Sequence, residues 1–249
     1  MKIGVIGTGN IGKVIIQLLR KANHDVKIAN EKDPKFLKEF ANEIGAEAVT
    51  VENVVKDVDL IFLVLQTKNI PELPKGLFEK VEKGTVVVDV SNYYPYRDGQ
   101  IEEIESGMIE SEWVSKQISF PVVKSFNTML SHSLFLNGRP IESKNRLALA
   151  ISGDDIKAKE TVAEIVNSVG YDPIDIGSIS ESWRQQGGSP IYCTDLTKEE
   201  LLHWYPKTKR EVLPERRDKI TELYFKWPED VTLAEQIKDL RTVFQSNLE

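Results

Sequence analysis

Short apolar runs alternate with longer amphipathic stretches from Ile3 to Ile176. Ile3–Ile6, Val26–Ala29, Leu60–Leu65, Thr85–Val90, Pro121–Lys124, Leu147–Ile151 and Pro173–Ile176 read as strands, with Ala48–Val51 as a further short one. Leu60–Leu65 is apolar at every position, the pattern of a parallel strand covered on both faces. Between the strands, apolar residues recur at helical spacing. Ile11, Val14, Ile15, Leu18 and Leu19 share one face of a helix ending at Lys21, and Pro34–Glu43 is a second helix, stopped by Gly45. Ala158, Val162, Ile165 and Val166 mark a third, capped by Asp154 or Asp155 and ended at Gly170. Strand and helix in alternation predict an α/β fold, a doubly wound, mostly parallel sheet with helices on both faces.

The pattern changes after Gly177. Ser178–Thr194 is rich in serine, glycine and glutamine, and Lys198–Glu249 is highly charged with apolar residues at helical spacing. The expected division is therefore a sheet domain at 1–177 and a small, mainly helical extension at 178–249. Leu233, Ile237, Leu240 and Phe244 form one stripe of the extension, and such a stripe must dock on its own core or on a second subunit. On that ground a homodimer is expected.

Composition narrows the picture by exclusion. The 249 residues carry 39 acidic and 32 basic side chains, a net charge of −7, which argues against a nucleic-acid or anionic-membrane binder. No apolar stretch reaches the roughly 18 residues of a membrane span. The N-terminus lacks a secretory pattern, so a soluble cytoplasmic protein is expected. The single cysteine, Cys193, has no partner for an internal disulfide and no C-x-x-C neighbour. No clustered His or Cys residues suggest a metal site.

One motif carries chemistry. Gly7-Thr8-Gly9-Asn10-Ile11-Gly12 fits G-x-G-x-x-G between a strand and a helix, where glycines permit a tight turn, close approach of a pyrophosphate, and packing of helix on strand. Cofactor choice is read where the second strand ends. Asn30-Glu31-Lys32 is mixed there: Asn30 and Lys32 suit the 2′-phosphate of NADP, whereas Glu31 suits the ribose of NAD.

Three stretches together resemble a known family. They are Ile3–Gly12, Val122-Val123-Lys124-Ser125-Phe126-Asn127-Thr128, and Ser152-Gly153-Asp154-Asp155 through Gly170, continuing to Gly177. The chain resembles the NADP oxidoreductases named for the deazaflavin coenzyme F-420, whose domain also serves as the cytosolic reductase part of the STEAP ferric reductases. The resemblance implies a Rossmann domain in which NADPH, with NAD as the alternative, exchanges a hydride with a deazaflavin or flavin acceptor. It places the phosphates on Gly7–Gly12 and the 2′-phosphate near Asn30, Glu31 and Lys32. It lays the cofactor along Leu65 and Gln66, and it sets Ser91, Asn92, Asn127 and Thr128 near the nicotinamide. Phe126 would face the ring and the hydride partner.

Acid–base candidates are sparse. Of three histidines, His24 lies at the end remote from the strand C-termini, and His203 adjoins Trp204 in the charged tail. His132, a few residues after Asn127, is the histidine expected near the nicotinamide, and it and Asn127 are the catalytic candidates. Trp183 and Arg184 open an unusual polar and aromatic loop that reads either as a wall of the substrate pocket, with Arg184 drawn to an anion, or as a packed connector. Two other activities stay open at this point. One is an imine or keto-acid reductase of the pyrroline-carboxylate reductase or hydroxyacid dehydrogenase type. The other is a protein that binds NAD(P) without turning it over.

Overall fold

The computed structural model describes residues 1–30 and 34–245. Strands β1 (Lys2–Ile6), β2 (Asp25–Ala29), β3 (Glu47–Ala48), β4 (Leu60–Leu63), β5 (Val86–Asp89) and β6 (Val123–Lys124) form a parallel sheet in the order β3-β2-β1-β4-β5-β6. The order reverses between β1 and β4, which opens a crevice beyond their carboxyl ends. Strands β7 (Ala148–Ile151) and β8 (Asp172–Asp175) form a separate parallel pair, joined to β6 by an antiparallel bridge between Lys124 and Ser152. The expected Ala48–Val51 strand is shorter than its pattern suggests. It ends at Ala48, and Val51 opens a helical turn whose valines pack under β1.

The helices are α1 (Asn10–Lys21), α2 (Pro34–Ile44), α3 (Val51–Val54), α4 (Pro95–Asp98), α5 (Glu102–Glu105), α6 (Glu110–Ile118), α7 (Ser131–Leu136), α8 (Ile156–Ser168), α9 (Lys198–Trp204), α10 (Leu213–Lys226) and α11 (Leu233–Gln245). Of the two candidate caps of α8, Asp155 does the work, accepting from the Ala158 N–H at 2.9 Å. Alternation along β4 separates two cores. Leu60 and Phe62 pack with Ile15, Leu19 and Val162 on one face, and Ile61 and Leu63 with Trp113 and Val114 on the other. Each such fully buried side chain stabilises the fold by roughly 1.5–3 kcal/mol.

The extension is laced to the sheet domain. The backbone N–H of Cys193 donates to the Thr128 carbonyl at 2.9 Å, and that of Ala148 to the Leu196 carbonyl at 2.8 Å. The stripe on α11 docks within its own chain: Leu240 and Phe244 are buried with Tyr94, Tyr192, Cys193 and Ile220. Leu233 and Ile237 stay half-buried at the rim of a groove. Because the chain itself covers the C-terminal half of the stripe, the stripe no longer argues for a second subunit.

Candidate functional site

Gly7 leaves β1 at a φ of +110°, and a Cβ there would stand 2.1 Å from the Val64 carbonyl oxygen. Gly12 seats α1 on the same turn, where a Cβ would lie 2.3 Å from the Gly7 oxygen. Backbone closes both positions to any side chain. Gly9 differs, since nothing lies within 4 Å of where its Cβ would be. It is the N-cap of α1, and no side chain caps that helix. First-turn N–H groups and the positive end of the helix dipole therefore border an open cradle suited to a phosphate. Asn30, just past β2, donates to the Thr8 hydroxyl at 2.6 Å and holds the loop in place.

Gly7, Thr8, Gly9, Asn30, Leu65 and Gln66 line one cavity of about 320 Å³. A neighbouring cavity of about 630 Å³ shares Asn30 and Val51 and continues over Ala48 and Thr50. Together they line a groove that runs from the glycine turn to a mixed apolar and polar end at Leu37, Val49 and Asn53. Asn10 and Ile11 lie in the first turn of α1. Phe36, Val51, Asn69 and Leu73 also line the first cavity, and no motif in the sequence points to them. Glu31 and Lys32 lie outside the described residues.

At the ends of β5 and β6 the polar groups close on one another. Asp89 and Lys124 are fully buried and paired at 3.0 Å. Asp89 also accepts from the Ser91 N–H at 2.9 Å, the Ser91 hydroxyl at 2.6 Å and the Ser111 hydroxyl at 2.7 Å. Lys124 donates to the Ser91 carbonyl as well. The Ser91 side chain is thus committed inward. Beyond it, Asn92 and Asn127 hold each other: Asn92 Nδ2 donates to the Asn127 carbonyl at 3.1 Å, and Asn127 Nδ2 to Asn92 Oδ1 at 2.9 Å. Asn127 Nδ2 also reaches the Gln185 carbonyl at 2.7 Å, while its Oδ1 and both amide atoms of Gln185 are buried without a hydrogen-bond partner. The structure brings Asn92, Asn127, Thr128 and the extension together here. A lysine ending an otherwise apolar strand was the available signal for the Asp89–Lys124 pair, since lysine is almost never fully buried unless paired.

Two expectations change, and the geometry at Arg184 bears on the two readings of its loop. Phe126, at a φ of +61°, turns into the core and meets Phe62 edge-on at 5.2 Å, so its ring does not face a ligand. His132 is exposed on α7, beside Val14 and Gln17 of α1. It has no contact with the Asn92–Asn127 pair, because α7 turns its buried face, Ser133 and Leu134, towards the core. Arg184 lies over the Trp183 ring at 4.3 Å and pairs with Glu181 at 2.7 Å, so its charge is answered within its own turn. Cys193 is buried, and burial pushes its thiol far above the usual range, which makes it a packing residue and not a nucleophile.

With the glycine cradle and the strand order established, residues 2–93 match the sequence profile of the family described as NADP oxidoreductase coenzyme F420-dependent. The match covers well under half of the chain and is a likeness of that segment to the family. The matched segment runs from β1 to the loop after β5, and so contains the cradle, Asn30, Gln66 and Asn92 but not Asn127. The Escherichia coli K12 protein YjhV is 40% identical over 88 residues, 35% of this chain and 62% of its own length. Metalloreductase STEAP3 of Rattus norvegicus is 26% identical over 184 residues, 73% of this chain and 35% of its own. The chain therefore spans less than two thirds of either relative. Among solved structures, the hypothetical protein SMa0349 from Sinorhizobium meliloti superposes with a TM-score of 0.68 at 27% identity, covering 80% of this chain and 96% of that one. Among the described residues, no helix is long and apolar enough to cross a membrane.

Proposed function

We propose that this protein is an NAD(P)H-dependent oxidoreductase that exchanges a hydride between a nicotinamide dinucleotide and a flavin- or deazaflavin-like acceptor. One observation carries the reading: the uncapped start of α1, cleared by Gly9, sits at the switch point of a six-stranded parallel sheet, within the segment that matches the F420-dependent family. Likeness to a family of F420-dependent NADP oxidoreductases supports NADP as the dinucleotide, and likeness to the metalloreductase STEAP3 supports a redox activity. When bound, the dinucleotide supplies the hydride. The chain's own part is to bind and orient it. Gly7–Gly12 receive the pyrophosphate on backbone N–H groups, Thr8 and Asn30 fix the loop, and Leu65 and Gln66 flank the groove. Asn92 and Asn127, locked by mutual hydrogen bonds, border the nicotinamide end with Thr128.

Transfer between two flat rings demands alignment above all, with reacting atoms roughly 3–3.5 Å apart, so a rigid polar border serves it without a side-chain base. The reading includes a cytoplasmic enzyme. A homodimer, if formed, would use a surface other than the Leu233 stripe, and exposed Tyr96, Tyr224 and Phe225, stacked edge to face, are such a surface. Stopped-flow oxidation of NADPH and NADH against flavin and deazaflavin acceptors tests the activity. Acceptor-dependent oxidation is expected. Tight dinucleotide binding with no oxidation by any acceptor would replace this reading with that of a nucleotide-binding sensor.

A further inference from the structure

A separate cavity, of about 410 Å³, opens between the α5–α6 corner and the first turn of α10, and shares no lining residue with the cleft around Gly9. Gly188, at a φ of +94°, lets the 186–188 segment press on α10; a Cβ there would stand 2.5 Å from the Leu213 carbonyl oxygen. The walls join apolar Met108 and Leu213 to two buried charged residues, Glu110 and Arg217. Burying charge at a cavity wall is costly unless something answers it. The Arg217 guanidinium lies over the Tyr93 ring at 5.2 Å, donates through Nε to Asp218 at 3.3 Å, and sets Nη1 3.5 Å from Glu105. Its Nη2 has no hydrogen-bond partner among the described residues. Glu110 accepts one hydrogen bond, from the Tyr93 N–H at 3.2 Å. The Gln186 amide nitrogen, in the same lining, is buried with no partner. Nothing in the dinucleotide reading uses these groups.

We propose that this cavity binds a small organic monocarboxylate, its carboxylate held by Arg217 and Gln186 against Glu110 and its apolar tail against Met108 and Leu213. Two donors without partners match the two oxygens of a carboxylate. The charge balance selects a monoanion. With Glu110 protonated, Arg210 and Arg217 are matched one for one by Glu105 and Glu211 in the same lining. Each negative charge a ligand brings then goes unbalanced, and a dianion is disfavoured more than a monoanion. Glu110 sets the pH response. Burial pushes its carboxyl up to about 7, Asp89 pushes it the same way, and Lys124 and Arg217 draw it down. A neutral Glu110 donates to the bound carboxylate and an ionised one repels it, so binding takes up a proton. The proposal does not rest on the redox reading and is tested without turnover.

Calorimetric titration of the full chain with hexanoate, in buffers of different ionisation heat, is the measurement. Saturable binding is expected near neutrality, with proton uptake and an affinity falling about tenfold per pH unit above about 7. Glu110→Gln should keep binding and lose that pH dependence. Arg217→Met should weaken binding at least about tenfold, and hexanamide should bind no better than that variant. If Arg217→Met does not fold, Gln186→Leu carries the same test with a smaller loss. Absence of saturable heat from hexanoate, equal binding by the Arg217 or Gln186 variant, or a pH dependence unchanged in Glu110→Gln would overturn the proposal.

Discussion

At the end of β1, Gly7 and Gly12 clear room for backbone, and Gly9 leaves a space that no protein atom enters. At the ends of β5 and β6, Asp89, Ser91, Ser111 and Lys124 fill their region and answer one another's hydrogen bonds. Both lie on the carboxyl-terminal edge of one sheet, yet the first presents backbone N–H groups to open space while these four side chains are spent on one another. A set of polar groups that satisfies itself is architecture. A set of oriented N–H groups facing open space is a binding site. The closed network earns its place by fixing the backbone from Ser91 to Asn92, and through Asn92 the position of Asn127.

The sharpest way to break this contrast is to open the closed region. Lys124→Met removes one partner of a fully buried pair and leaves the Asp89 carboxylate with hydroxyl and N–H donors alone. Breaking buried pairs on one side costs about 3–5 kcal/mol, so urea unfolding should show a loss of that order. A loss below about 1 kcal/mol would mean that the pair is not buried and charged as the geometry has it.

The open region should respond in the opposite way. Gly9 has an extended backbone, φ −70° and ψ −171°, that any residue adopts, and its Cβ would touch nothing. Gly9→Asp should fold, and its carboxylate at the N-cap should leave the melting temperature unchanged or raised. The same carboxylate would face the proposed pyrophosphate. Like charges about 4 Å apart at an effective dielectric of about 20 repel by roughly 4 kcal/mol, about a thousandfold in Kd for NADPH. If fluorescence titration shows NADPH binding within about tenfold of the parent, the cradle is not the phosphate site.

The same contrast governs what the sequence discloses. The cradle was legible because glycines at fixed spacing have a geometric cause, each removing a Cβ that backbone or ligand would meet. The strand runs were legible because β4 and β5 are buried on both faces. Phe126 was misplaced because sequence places a residue along the chain but not the sign of its φ; at +61° the ring swings to Phe62. His132 was misplaced because proximity to Asn127 in sequence does not say which face of a short helix a side chain takes. The 410 Å³ cavity was unreadable, since it joins Met108, Gln186 and Arg217, brought together only by tertiary packing. The α11 stripe was seen, but its partner, Tyr192 and Ile220 of the same chain, was not.

A pH experiment sharpens the boundary between the closed network and the cavity beside it. Glu110 has a carboxyl raised from 4.5 to about 7 by burial. A raised folded pKa means that the native state binds the proton more tightly than the unfolded chain. Its stabilising contribution is full below about 4.5 and is lost as pH rises through about 7. Glu110→Gln keeps an acceptor for the Tyr93 N–H and cannot ionise. Between pH ~5 and ~8 the parent should therefore lose about 2–3 kcal/mol more stability than the variant. Parallel stability profiles would show Glu110 to be solvated and the cavity wall to be wet.

The smallest effect concerns Arg184, where the two readings of the 183–192 loop part. A connector needs nothing from its guanidinium beyond Glu181 and the Trp183 ring. A pocket wall would need that charge for the acceptor. The Glu181 pair is partly exposed, with side chains at 24% and 41% accessibility, and such pairs contribute about 0.2–1 kcal/mol. Arg184→Ala should therefore cost under about 1 kcal/mol in unfolding and leave KM for an anionic flavin such as FMN within about twofold. A rise in KM of about tenfold or more with FMN, absent with uncharged lumiflavin, would move Arg184 from the connector into the acceptor site. The polar edge of the reaction centre would then extend beyond Asn127 and Gln185 into the extension.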